Sequence, residues 1–284
     1  MLRSLFPLGS TDPSSRRAES SVALLLGLVL AVGAGLTGCF SPSSVVDEGL
    51  DSAADAAGEQ VGKALGAEIV RAADLPPPGS ARYNQVMVQQ AQIMFSYAFS
   101  AGGSWPAEAA YEPGEWASYQ IRTAEGETAL DTLERAFLTT TDDGAEWWRV
   151  RGVQDGERWT YEALLDPEQE EVLRMRARDP DGEVGEVPVT EQTVYRPPQR
   201  LTEESVAGAT TGTEPVDTPA GSFKARRVEY SGAAGGTVTW FLSDEVPGHV
   251  VRYRAARNDK RYTSSLLDFG TDATTQLDSY ERRR

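Results

Sequence analysis

The sequence predicts an α+β fold in which one or two N-terminal helices precede a strongly curved antiparallel sheet, a half-barrel or open barrel. Three observations support this prediction. Apolar residues recur at helical spacing before about residue 100. After Trp105, short runs rich in β-branched and aromatic residues dominate, and turn-forming residues separate them at regular intervals. Such spacing indicates an antiparallel meander, whose edges must close, be covered or be blunted.

The composition excludes several kinds of site. The chain has 284 residues, of which one is cysteine and one is histidine. A single Cys39 permits no internal disulfide and no cysteine-based metal cluster, and a single His249 permits no multi-histidine zinc site. We therefore expect no metal and no cofactor.

The charge narrows the choice of partners. The formal net charge is −16, from 27 Lys and Arg against 43 Asp and Glu. Such an acidic surface repels phosphate backbones, so we expect no nucleic-acid partner. It also disfavours attachment to anionic lipid through a basic patch, so membrane association needs another device.

The N-terminal segment has the pattern of a signal peptide. Residues 22–36 read VALLLGLVLAVGAGL and carry no charge, and arginines precede them. A membrane-spanning helix needs about 20 apolar residues, whereas a signal-peptide core needs about 7–15. The pair Arg16-Arg17 leaves the twin-arginine export route as an alternative, although Ala and Glu follow it. We predict a cleaved signal peptide over residues 1–38.

The apolar run ends in Leu36-Thr37-Gly38-Cys39, which resembles the lipobox of bacterial lipoproteins. This resemblance implies cleavage between Gly38 and Cys39, a thioether-linked lipid on the Cys39 sulfur, and fatty acylation (for example palmitate) of the new α-amine. A thiol suits this chemistry because it is the best nucleophile among side chains. Two or three acyl chains anchor a protein stably. Phe40 follows where an Asp would retain the protein at the inner membrane, so we expect an outer-membrane lipoprotein that faces the periplasm.

Residues 39–79 form a predicted lipidated tether with a marginal helix and a Pro-rich linker. Apolar positions recur at helical spacing from Val46 to Ile69, but four glycines weaken this helix, and a flexible Ala/Gly-rich stalk is the alternative. The segment DLPPPGS, residues 74–80, ends any helix there. Residues 80–284 form the predicted α+β domain.

The domain begins with a second predicted helix over residues 81–99, whose large apolar residues indicate burial on more than one face. Nine predicted strands follow, joined by turn sequences such as VQDGE and DPDGE. They are residues 115–123, 132–140, 146–152, 158–165, 170–178, 221–231, 236–243, 248–256 and 260–269.

Residues 216–253, VDTPAGSFKARRVEY followed by GTVTWFLSDEVPGHVVRY, loosely resemble the half-barrel envelope lipoproteins of the LolA/LolB type. This resemblance implies an open β-barrel that cups helices and holds acyl chains in an apolar cavity. Six strand aromatics are the candidate face for such a ligand: Trp116, Trp147, Trp148, Trp159, Trp240 and Phe241.

The alternative is that these aromatics fill the core, as most strand aromatics do. Neighbouring pairs such as Trp147-Trp148 and Trp240-Phe241 must point to opposite faces of the sheet. One member of each pair is then exposed or covered by a helix.

No catalytic motif is apparent in the sequence. Ser243, Asp244, Glu245 and His249 lie close in sequence, but SDEVPGH is typical of a turn between strands. Residues 179–186, DPDGEVGE, lack the ligand spacing of an EF-hand loop and favour a hairpin turn over a calcium site.

Together these patterns predict a lipid-anchored, non-enzymatic binding module for an apolar ligand or a lipidated partner. A structural or assembly lipoprotein that binds another envelope protein is the first alternative. A hydrolytic enzyme is the second.

Overall fold

The computed structural model describes residues 69–100, 104–106, 111–123, 128–168, 171–190, 199–231, 236–257 and 260–279. All of them belong to one compact unit, Pro42–Arg284. The predicted signal peptide, Cys39 and residues 46–68 of the first predicted helix lie outside the described residues.

The described residues form two α-helices, a 3₁₀ helix over Ala72–Asp74 and thirteen strands. Helix α1 is Ala81–Phe95, which continues into a π-helical turn over Ser96–Ser100, and the short helix α2 is Glu203–Gly208. The strands are β1 (Ser104–Pro106), β2 (Trp116–Thr123), β3 (Thr128–Thr140), β4 (Glu146–Gln154), β5 (Glu157–Asp166), β6 (Glu171–Arg178), β7 (Val184–Val187), β8 (Gln199–Leu201), β9 (Thr210–Thr218), β10 (Gly221–Ser231), β11 (Thr237–Leu242), β12 (Val250–Arg257) and β13 (Lys260–Gly270).

Eleven of these strands form a single open antiparallel sheet in the order β7-β6-β5-β4-β3-β2-β13-β12-β11-β10-β9. Two meanders, β2 to β7 and β9 to β13, join where β2 pairs with β13 at the centre of the sheet. Register shifts interrupt six of the ten pairings. Since bulges bend and twist a sheet, they account for its curvature. Strands β1 and β8 form a separate parallel pair.

The turn sequences act as predicted at the β4–β5 hairpin. Gln154 pairs with Glu157, so Asp155 and Gly156 form a two-residue turn. Both residues have positive φ, 51° and 82°. This is the pattern of a type I′ turn, for which Asp-Gly is a favoured sequence.

Helix α1 begins where the Pro-rich segment ends, and it packs on one face of the sheet. The Ser80 hydroxyl accepts a hydrogen bond from the Tyr83 backbone N–H at 3.1 Å and so caps the helix. The Tyr83 hydroxyl donates to Asp179 Oδ2 at 2.8 Å, and Asp179 Oδ1 accepts from the Glu183 N–H at 2.9 Å. Asp179 therefore stabilises the β6–β7 turn and binds the helix to it.

The buried residues of α1 recur at helical spacing: Tyr83, Met87, Gln90, Ala91 and Met94. All of them except Gln90 belong, with residues of the sheet, to the main core cluster. The helix approaches β4 so closely that a Cβ atom at Gly152 would lie 2.4 Å from Met94 Sδ. Glycine at this position makes room for the helix.

Residues 271–279 cross the opposite face of the sheet. The Thr275 hydroxyl donates to Glu162 Oε2 at 2.6 Å, and the Gln276 N–H donates to Glu162 Oε1 at 2.5 Å. Arg149 and Arg176 donate to the carbonyl oxygens of Thr274 and Leu277. The segment is thus held by charged groups that project from the strands.

Nine predicted strands and the helix predicted at 81–99 are confirmed, with ends shifted by up to four residues at β3. The antiparallel sheet is confirmed as well. Helix α2 and the strands β1, β7, β8 and β9 were not predicted from the sequence. Strand β9 was missed because residues 211–215 are all exposed and show no alternation.

No helix within the described ranges combines the length and the apolar character needed to cross a bilayer.

Candidate ligand-binding pocket

A pocket lies on the face of the sheet that α1 covers, where the π turn meets β2, β3 and β11–β13. The empty space there amounts to about 430 Å³, which includes open solvent, and the part that the centre of a water molecule can occupy is about 40 Å³. The wall is aromatic and aliphatic except for an arginine and a serine, and it consists of Tyr97, Ala98, Tyr119, Leu133, Arg135, Trp240, Val250, Tyr253, Tyr262 and Ser264.

Aromatic side chains from four neighbouring strands form a row, and three of them, Trp240, Tyr253 and Tyr262, belong to the pocket wall. Trp240 of β11 pairs directly with Tyr253 of β12. Their ring centroids are 5.6 Å apart, and the Tyr253 ring lies 5.8 Å from that of Tyr262 on β13. On the other side, the Tyr230 ring of β10 lies 5.7 Å from that of Trp240. Tilted and edge-on contacts at these distances are favourable, so the row is a well-packed apolar surface.

The π turn supplies the facing wall, and Arg135 holds it against β3. Arg135 Nη1 donates to the Ala98 carbonyl at 3.0 Å, and Nε donates to the Tyr111 hydroxyl at 2.8 Å. The guanidinium carbon lies 4.9 Å from the ring centre of Tyr111 and 5.7 Å from that of Tyr119. π-Helical turns are frequent at functional sites. Here the turn places Tyr97 and Ala98 beside the cavity.

The hydroxyl groups of the pocket tyrosines are neutral donors at physiological pH. Burial raises the pKa of Tyr97 to about 12. Burial also raises the pKa of Tyr119, Tyr253 and Tyr262 above the usual value. The Tyr119 hydroxyl donates to the Val250 carbonyl at 3.1 Å. The Tyr253 hydroxyl is buried and has no hydrogen-bond partner among the described residues.

The aromatic residues predicted as a ligand face divide between the two faces of the sheet. Trp240 lines the pocket. Trp148 and Trp159 belong to the main core cluster, outside the pocket wall. Trp147 belongs to a second cluster on the opposite face, and Trp116 packs against that cluster.

Phe241, the sixth predicted residue, follows Trp240 in β11, lies outside the pocket wall and belongs to the main core cluster. Its ring is buried, with the Arg254 guanidinium 5.1 Å from the ring centre. The structure thus brings Trp240 to the pocket without the other five.

The pocket tyrosines and Arg135 were not among the site residues predicted from the sequence. A signal existed for two of them, because the β12–β13 hairpin places Tyr253 and Tyr262 on the face of Trp240. No local signal exists for Arg135 of β3, or for Tyr97, which lies beside the pocket only because α1 docks on the sheet.

The residues considered for hydrolysis form the predicted turn between β11 and β12. Ser243 N–H donates to the His249 carbonyl, and His249 N–H donates to the Val246 carbonyl, both at 2.8 Å. His249 Nδ1 lies 3.7 Å from Asp244 Oδ1, and the Ser243 hydroxyl lies 3.5 Å from Glu245 Oε1. These contacts join the serine and the histidine side chains to separate carboxylates.

In the part of the chain that the structure describes, no group of three or more His, Cys, Asp or Glu side chains could hold a metal ion. The acidic stretch 179–186 forms the β6–β7 turn and part of β7.

No protein-family model and no curated protein matches this sequence. Among solved structures, the chain is similar to the crystal structure of a candidate lipoprotein from Parabacteroides distasonis. The two share 12% sequence identity with a TM-score of 0.27, over 58% of this chain and 97% of the other. A likeness of this size supports no argument about function.

Proposed function

We propose that this chain is a membrane-anchored, non-catalytic binding module whose apolar ligand occupies the pocket between the π turn and β11–β13. The observation that carries this proposal is a partly open cavity with an almost entirely aromatic and aliphatic wall. Such a wall favours binding because each Å² of apolar surface removed from water contributes about 25 cal/mol. A lipid, or the acyl group of a lipidated partner, belongs to this ligand class.

The anchor is proposed from Leu36-Thr37-Gly38-Cys39. A lipid on Cys39 would hold the domain at the outer membrane, facing the periplasm. Replacing the sulfur nucleophile in Cys39→Ser should abolish incorporation of a labelled fatty acid, with the wild-type chain as the positive control. Labelling that persists in the variant would refute this anchor.

The binding experiment uses the full chain with Cys39→Ser, so that a lipid found with the protein cannot be its own anchor. Native mass spectrometry should detect a co-purifying apolar molecule. Ser264 lines the pocket, so Ser264→Phe places a ring in the cavity and should remove that molecule. Thr263→Phe is the matched control, since Thr263 is the preceding residue of β13, points to the opposite face and is also half-buried.

Equal co-purification with Ser264→Phe and Thr263→Phe would show that the molecule binds elsewhere. The absence of any such molecule, together with a cross-link to an envelope protein, would favour the structural or assembly alternative. One observation supports that alternative: among the described strands, β7 and β9 are the two edges of the sheet, and residues 211–215 of β9 are exposed. An open sheet edge can pair with a strand of another protein.

A further inference from the structure

Tyr253 carries a polar atom that the protein leaves without a partner. The side chain is 4% exposed and belongs to the pocket wall, and its hydroxyl has no hydrogen-bond partner among the described residues. Burying a hydroxyl without replacing its hydrogen bonds to water is destabilising. A group of this kind on the wall of a cavity is therefore a candidate contact for a ligand.

Neighbouring tyrosines on the same face are satisfied within the protein. The Tyr119 hydroxyl donates to the Val250 carbonyl, and the Tyr230 hydroxyl lies 3.0 Å from Ser205 Oγ. An unpaired hydroxyl is thus not a general property of this wall. The group that lacks a hydrogen-bond partner at Tyr253 is a neutral phenol hydroxyl, which can donate its O–H to an oxygen acceptor.

Tyr161 shows that burial alone does not create such a site. Its hydroxyl is also buried without a partner among the described residues, but Tyr161 does not belong to the pocket wall. The position of Tyr253 beside the cavity is what distinguishes the two residues.

We infer that the ligand is an apolar molecule bearing an acceptor oxygen, such as a carbonyl or carboxyl oxygen, and that the Tyr253 hydroxyl donates a hydrogen bond to that oxygen. This inference rests on the proposed function. The aromatic row would hold the apolar body, and Tyr253 would select molecules with the oxygen over plain hydrocarbons. A site built to bond an oxygen discriminates against an analogue that lacks it.

The test compares two probes of nearly the same shape, 2-acetylnaphthalene, which has a carbonyl oxygen, and 2-ethylnaphthalene, which has none. Dissociation constants are measured by fluorescence titration on the full chain with Cys39→Ser. Tyr253→Phe should weaken binding of the ketone by about three- to tenfold, the range of one hydrogen bond, and leave binding of the hydrocarbon unchanged. 2-Naphthoate as a third probe distinguishes a carboxylate from a neutral carbonyl.

Tyr161→Phe is the matched control, because it removes the same kind of unpaired buried hydroxyl away from the pocket. It should leave both dissociation constants unchanged. Thermal unfolding without probe should show that neither variant is less stable than the parent, since neither hydroxyl has a protein partner to lose.

The outcomes separate this inference from the proposed function. If the hydrocarbon binds but Tyr253→Phe changes the two affinities equally or not at all, the inference is wrong and the apolar site stands. An equal loss of ketone affinity in Tyr161→Phe would also overturn it, because the effect would then come from the fold. If neither probe binds the parent chain, both the proposed function and the inference fail.

Discussion

At the scale of single residues, Glu134 is a position where stability depends on a buried charge, because its carboxylate lies between two arginines. Its side chain is 2% exposed; Glu134 Oε1 accepts from Arg149 Nε at 2.9 Å, and Glu134 Oε2 is paired with Arg151. Removing the charge of one member of a buried ion pair leaves the charge of its partner unpaired and away from water. By contrast, Asp155 pairs with Arg71 at 3.3 Å, and 68% and 70% of the two side chains are exposed.

Glu134→Gln should therefore lower the free energy of unfolding by about 3–5 kcal/mol, because both arginines lose their counter-charge inside the protein. Asp155→Asn is the matched control and should cost about 0–1 kcal/mol, since solvent screens an exposed pair. Urea denaturation followed by circular dichroism measures both values. Equal losses in the two variants would contradict this account of burial.

Residue-level prediction from sequence succeeded where only strand alternation was needed. The pair Trp147-Trp148 was predicted to divide between the faces, and it does. The sequence analysis expected the outward member to be exposed or covered by a helix. Instead, Trp147 is 3% exposed in a cluster that includes Ala273 of the C-terminal segment. That segment has no periodicity, so nothing in its sequence shows which surface it covers.

At the scale of elements, the nine predicted strands were recognisable because apolar burial and turn chemistry both mark them. Strand β9 has neither signal, since its edge position exposes almost every side chain and it contains Pro215. Helix α1 was predicted in position but not in its contacts. Its closest approach depends on Gly152, 58 residues beyond Met94 in the chain, and no local pattern encodes such a pairing.

Gly152→Ala should destabilise the packing of α1 on β4. The added methyl group would overlap Met94 Sδ, and overpacking a core typically costs about 1–3 kcal/mol. Gly185→Ala is the matched control in β7, where an added Cβ meets nothing within 4 Å, and it should be close to neutral. Both free energies come from urea denaturation.

Repeating Gly152→Ala in a variant that lacks the Met94 sulfur tests what causes this loss of stability. In Met94→Ala the sulfur is absent, so Gly152→Ala should cost much less there than in the parent chain. An unchanged cost would mean that the strand, not the helix, resists the methyl group.

At the scale of the whole molecule, the tyrosines give the fold a common dependence on pH. Seven of the eight tyrosines in the described ranges have a pKa raised mainly by burial, and they come from α1, the π turn and both halves of the sheet: Tyr83, Tyr97, Tyr119, Tyr161, Tyr230, Tyr253 and Tyr262. In the unfolded chain the same groups titrate near a pKa of about 10. The folded state therefore binds more protons than the unfolded state above that pH.

Stability falls as the pH rises wherever the folded state holds more protons than the unfolded state. The stability that these buried phenols contribute is therefore complete below a pH of about 10. It is lost as the pH rises toward the pKa of each tyrosine in the folded state, which is about 12 for Tyr97. We expect alkaline unfolding to be cooperative, with the tyrosinate absorbance rising together with the loss of the far-ultraviolet circular dichroism signal. Measuring both signals along one pH titration tests this. The contrary result is that most of the tyrosinate absorbance appears near a pH of about 10 while the circular dichroism signal of the sheet persists. That result would show that the tyrosine hydroxyls reach water in the folded protein.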